Sequence, residues 1–297
     1  MLKTIAITGA FILTSLIAYN QDYAKQFSAF SIKNDTTGQI KVLNSWKAAS
    51  PEDPELFIAF FNFYVKKSII EVVSLDRTQK GKNSFVVSDT GTGQPVAYLN
   101  SSMNYKSDIL QKGFDYINKG IALHPTRLDM RFGKIYMLGQ AENYTEFAKE
   151  IVTTIDYGNK IDNVWLWKGG KPLEDPQQMF LSSIQDYIAT IYNTEDDNLL
   201  PLMRQISEAV IKYYPDHVES LSNIALTHLI TGDFEKALPY LLQAEQVAPK
   251  DIVVLNNIAE AYKRKGDLTN AKAYYQKIIK YGNKEEVNDA QQKMKVL

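Results

Sequence analysis

No cysteine occurs among the 297 residues. That excludes disulfides, cysteine nucleophiles, thiolate zinc sites and lipid attachment to an N-terminal cysteine. An excess of either charge is also missing: 33 Lys and Arg against 34 Asp and Glu leave a formal net charge of -1. Without a basic excess the chain has no bulk electrostatic attraction for nucleic acid, so no nucleic-acid partner is expected. There are three histidines, His124, His217 and His228, far apart in the chain, and no His-Glu-x-x-His spacing. No metal site and no cofactor are expected from them. The phosphate-loop pattern Gly-x-x-x-x-Gly-Lys-Ser/Thr does not occur either.

Only one long uncharged apolar run exists, Ile5 to Ala18, preceded by Lys3 and followed by the polar Tyr19-Asn20-Gln21-Asp22. It falls short of the roughly 20 residues needed to span a bilayer. A basic start, a short apolar stretch and a small residue near its end describe a secretory signal peptide, residues 1–20, cut after Ala18 or Asn20. The expectation is a periplasmic or secreted protein with no stable membrane insertion after cleavage. The alternative is a membrane anchor formed by the uncleaved segment.

What the sequence does contain is a repeat. Leu221, Asn223 and Ile224-Ala225 return as Leu255, Asn257 and Ile258-Ala259; Gly232-Asp233 returns as Gly266-Asp267, and Ala237 as Ala271. Every pair is 34 residues apart. A fixed period of that size predicts a solenoid whose units bury their apolar faces against their neighbours. Leu221, Ile224, Ala225 and His228 fall at i, i+3, i+4 and i+7, one face of a helix. Ala237 and Leu241 follow on a second helix, and Pro249 closes the unit. Large residues on one helix need small ones opposite for close packing, the part assigned to Ala237 and Ala271. Gly232-Asp233 and Gly266-Asp267 turn the chain between helices.

This pattern resembles the tetratricopeptide repeat, a helix-turn-helix of 34 residues, of an exported bacterial type. The resemblance implies an all-α solenoid of helical hairpins, and the β-prone stretch described next adds a small β-hairpin insertion. The regular repeats are residues 218–251 and 252–285, with a polar capping helix at 286–297. A lead-in and capping helix occupy 21–53. Degenerate units follow: 54–127, then 128–177 with an irregular connector, then 178–217. Residues 68–105 interrupt the first of these. Ile69, Ile70, Val72 and Val73 extend the preceding helix, and Ser84–Ser88 and Pro95–Leu99 form a hairpin about a glycine-threonine turn. The sequence around Gln21 to Gly38 is a loose, polar lead-in.

Two stretches invite chemistry. Asp89-Thr90-Gly91 resembles the turn of aspartic proteases, but those enzymes need two such aspartates, and Asp, Thr and Gly also suit a plain turn. Trp165 and Trp167 offer either an aromatic platform for a ligand or a loop pinned by two rings. No catalytic residue is assigned. An alternative function, a ligand-binding or hydrolytic protein, would use Asp89 with Trp165 and Trp167.

The resemblance implies a protein or peptide partner held on the concave face lined by first helices. The candidate groove residues are Glu219, Ser222, Asn223, Leu226 and Ile230, then Val253, Asn256, Asn257, Glu260 and Arg264. Asn223 and Asn257 are equivalent and suited to hold a peptide backbone through side-chain amides. The function expected is a non-enzymatic scaffold or adaptor; a structural subunit of a cell-envelope complex is the other alternative. The sequence leaves the partner and the oligomeric state open.

Overall fold

The computed structural model describes residues 22–79 and 84–297; the expected signal segment lies outside them. The chain folds as two compact units. One runs to Lys134 and includes Leu166–Pro172, and the other comprises Ile135–Trp165 and Leu173–Leu297. No described helix is long and apolar enough to cross a membrane.

The first unit opens with helix α1, residues 22–32, where the polar composition suggests a loose lead-in. Tertiary packing overrides the weak propensity: Tyr23 stacks on Trp46 with ring centroids 5.9 Å apart, and Phe27 joins the same cluster. Helix α2 (Thr36–Ala49) starts where the Asp35 carboxylate accepts from the Gly38 amide. Helix α3 (Pro54–Ser68) starts at Asp53, whose two oxygens take the Glu55 amide and the Trp46 indole N–H. Leu43, Trp46, Leu56, Phe60 and Phe63 fill the space between α2 and α3. Helix α4 (Ser107–Leu123) lies against α3. Glycine lets them approach: a Cβ on Gly120 would stand 2.8 Å from that of Phe57.

Between α3 and α4 the expected hairpin, Ser84–Ser88 with the strand from Pro95, forms and is widened by a further strand to a three-stranded antiparallel sheet. Strand β1 is Ile69–Asp76, β2 Ser84–Ser88 and β3 Pro95–Tyr105, in the order β1-β3-β2. The run from Ile69 to Val73 is therefore strand, not a continuation of α3. β-branched residues favour the pleated ladder that β3 offers, Ile69 opposite Tyr105 and Val73 opposite Ser101. The sheet leaves and rejoins the helices at one place, where the Lys106 amide donates to the Ser68 carbonyl at 2.8 Å. A ribbon, β4 (Leu166–Trp167) and β5 (Lys171–Pro172), completes this unit with the start of α5 (Leu128–Gln140).

The second unit contains α6 (Tyr144–Lys160), α7 (Pro176–Tyr192), α8 (Leu200–Ile211), α9 (Val218–Ile230), α10 (Phe234–Val247), α11 (Ile252–Lys265), α12 (Leu268–Tyr281) and α13 (Lys284–Lys295). The repeated residues take repeated places. Gly232 and Gly266 have φ of 78° and 85°, left-handed values that glycine adopts without strain. Asp233 and Asp267 then cap α10 and α12 through their carboxylates. Ala225, Ala237, Ala259 and Ala271 are all buried. One core cluster joins Leu221, Leu241, Val254 and Ile258; the next joins Leu255, Tyr275, Ile278 and Ala290 of α13. Each hairpin thus buries its apolar residues against the next, as a stacked repeat requires.

Candidate functional site

The first helices of successive hairpins in the second unit are α7, α9 and α11, with α13 beyond them. Their non-core residues form the candidate site. Asn223 Nδ2 donates to Gln185 Oε1 on α7 at 2.7 Å. Lys293 Nζ on α13 donates to Asn256 Oδ1 at 2.9 Å. These partners are 38 and 37 residues apart, one repeat plus one helical turn, because neighbouring first helices meet one turn out of step. Sequence reasoning missed Gln185 and Lys293; adding a turn to the period would have found them.

The ten candidates separate by what their side chains already do. Asn223, Asn256 and Glu260 are engaged within the unit, Glu260 Oε1 accepting from the Tyr275 hydroxyl at 2.8 Å. Asn223 and Asn257 are equivalent in sequence, yet a bond to the preceding first helix is seen at Asn223. Ser222, Leu226 and Asn257 are half-buried; Glu219, Ile230, Val253 and Arg264 are exposed. Ile230 edges a cleft of about 360 Å³ with Ile191, Tyr192, Leu200 and Met203. Val253 and Asn256 edge a smaller one, about 260 Å³, with Glu286, Asp289 and Lys293 of α13.

His217 holds the start of α9. Its Nδ1 accepts from the Ser220 amide at 3.2 Å, and its Nε2 lies 3.4 Å from Glu219. Burial lowers its pKa, outweighing the opposing pull of Glu219. The ring is therefore neutral at pH 7 and free to accept at Nδ1. Burial also lowers the pKa of His228, with Arg204 adding to the effect.

The residues named for the alternative site each have partners of their own. Trp165 is 1% exposed, packed between Tyr157 and Phe180, and presents no ring face to a ligand. Trp167 sits edge-on to Phe132 in the first unit. The Asp89 Oδ1 accepts from the Gly91 and Thr92 amides and the Thr92 hydroxyl, a closed turn. Those bonds lower its pKa, the Thr92 amide most.

The first unit holds a feature the sequence did not signal. Arg127, 3% exposed, makes two bonds to Asp129 and one, at 2.7 Å, to Glu55. Glu55 also accepts from the Gly169 amide. Burial alone would lower the Arg127 pKa, but Asp129 and then Glu55 outweigh it and raise it. The group ties the starts of α3 and α5 to the β4–β5 ribbon beside a cleft of about 510 Å³.

Stacked helical hairpins with glycine corners and small-on-large packing define a helical-repeat array. The tetratricopeptide repeat family model matches residues 218–251 and 252–281 of the chain, the two regular repeats. No curated relative matches its sequence. Among solved structures it is similar to the type IV pilus biogenesis factor PilW, at 9% identity and a TM-score of 0.40, over 92% of this chain and 98% of that one. It is also similar to PilF of Pseudomonas aeruginosa, at 9% identity and 0.38, over 92% and 97%. A third is the C-terminal part of a repeat protein from Cytophaga hutchinsonii, at 12% and 0.44, over 90% and 84%.

Proposed function

We propose that the chain is an exported, non-enzymatic scaffold that binds a protein or peptide along α7, α9 and α11. One observation supports this most: Ile230 and Val253, large apolar residues on successive first helices, stand exposed beside clefts. Apolar anchors flanked by side-chain amides suit a peptide, whose side chains need pockets and whose backbone needs hydrogen-bond partners. Asn257 and Arg264 supply the polar part of that surface, with Asn223 completing it through its carbonyl oxygen.

The test is recovery of partners from a cell-envelope fraction by native protein and by two variants, Ile230→Asp with Val253→Asp, and Asn257→Ala with Arg264→Ala. Both variants should melt like the native protein and lose the partner. Unchanged recovery by both removes the groove proposal. Export is tested separately by the mass and fractionation of the protein in cells. Full-length chain in the cytosol would overturn it.

A further inference from the structure

The sheet between α3 and α4 has two unlike faces. In all three strands the odd-numbered side chains share a face, as the register and the alternation of a strand require. On that face lie Ile69, Val73, Leu75, Phe85, Val87, Leu99 and Met103, seven large apolar residues between 39% and 72% exposed. The opposite face is built of Ser74, Asp76, Ser84, Asn100, Ser102 and Asn104 beside Ile70, Val72, Val86 and Tyr98. Its centre is closed: Asn100 donates to Asp76 and to the Thr78 carbonyl, so the chain leaving β1 lies over this face, and Asn100 is 3% exposed. Away from that centre the polar face is open, with Val72 37% and Val86 54% exposed. The apolar face is covered by none of the described residues.

We propose that this face pairs with the same face of a second copy of the chain. The strands are 8, 5 and 11 residues long, so the shared face measures on the order of 400 Å² at strand spacing. That is within the range of the largest apolar patch on a monomer, a size that marks interaction sites. A flat apolar surface fits another flat apolar surface, and sheets stack face to face about 10 Å apart. Two-fold symmetry makes one such face sufficient for both partners. The charges agree. Among the described residues of the three strands, Glu71 is the only ionisable carboxylate on the face, it accepts from Ser101, and it belongs to the edge strand β1, where the rim stays wet. A lipid surface fits worse: the tip of the sheet ends in Asp89, exposed and held ionised by its turn. Apposing two faces buries roughly 800 Å², in the weak class of complexes, so the pair is concentration-dependent.

The absence of cysteine makes the test direct. In the full chain, Phe85→Asp alters the apolar face, and Val86→Asp, one residue on, alters the other. The average mass of the native protein and of Val86→Asp should rise toward that of two chains with concentration, while Phe85→Asp stays at one. A single thiol from Leu99→Cys should be joined between chains by a short bis-maleimide, and one from Val86→Cys should not. The second assay holds even if Phe85→Asp fails to fold. A monomer at every concentration, equal effects of both Asp variants, or cross-linking at position 86 as strong as at 99 overturns the proposal. So does binding of native protein to vesicles or to an unlike protein through this face while its mass in solution stays that of one chain.

Discussion

Glu55 and Arg127, 72 residues apart, meet at 2.7 Å, and Asp129 holds the other side of the same guanidinium. The arginine is buried, so its charge depends on both carboxylates. Glu55→Gln should destabilise by about 1–2 kcal/mol, a charged hydrogen bond discounted for the exposure of Glu55. Arg127→Met should cost about 3 kcal/mol, because it leaves two carboxylates without their cation. The double variant should lose less than the sum, which a double-mutant cycle by denaturant unfolding would measure. Additive losses would mean the two groups act independently.

Ala237 and Ala271 are both buried, each beneath the large residues of the preceding first helix. Ala271→Leu should destabilise by about 1–3 kcal/mol through overpacking. Ala273→Leu, at an exposed position on the same helix, should change stability by less than about 0.5 kcal/mol. Thermal melting of the two variants decides this.

Gly266 turns α11 into α12 at φ 85° with open space around its Cβ position. Gly266→Ala should therefore cost about 1 kcal/mol from backbone strain alone, and Gly266→Asn less, since asparagine tolerates that conformation. Equal losses would point to a packing role instead.

The histidines give a pH dependence. Burial lowers the folded pKa of His217 and His228, so below about pH 6.5 the unfolded chain binds protons that the folded chain refuses. Stability is fully present above that value and falls as pH drops below it, until the lowered folded values are reached. Protonation of His217 at Nδ1 would also remove the acceptor for the Ser220 amide. His217→Asn, which can still cap α9, should flatten the fall in melting temperature between about pH 7 and pH 5. A native profile equally steep in the variant would acquit His217.

The sheet joins the helices through one pair of neighbours, Ser68 and Lys106. Replacing residues 70–104 by a two-residue turn should leave the α3–α4 helical hairpin intact, read by helical circular dichroism and cooperative melting. Loss of cooperative unfolding would show that the sheet supports the helices.

The hairpins near the C-terminal end were legible because their signals are local and repeated: two glycines that need φ above zero, two aspartates that cap, four alanines at close contacts. The face of each helix followed from spacing alone. Strand β1 was not legible, since a short apolar run has no period that separates helix from strand. Nor was α1, which is polar and gains its helix from Trp46 and its neighbours. Burial of Arg127 had no signal either, because arginine is seldom inside and its two carboxylates lie 72 residues before and two after. Of the candidate groove residues, sequence gave their helices and their equivalence. It could not say which were already bonded to the next helix, because those bonds skip a repeat and a turn.

The order β1-β3-β2 puts the strand made last between the two made first. β1 and β2 flank β3 and have nothing to pair with until Tyr105 and the ten residues before it arrive. No hairpin can therefore seed this sheet from β1 and β2; β3 supplies the partner for both ladders, the local one with β2 and the distant one with β1. A chain stalled before Pro95 would display five apolar side chains, Ile69, Val73, Leu75, Phe85 and Val87, as loose, sticky thread.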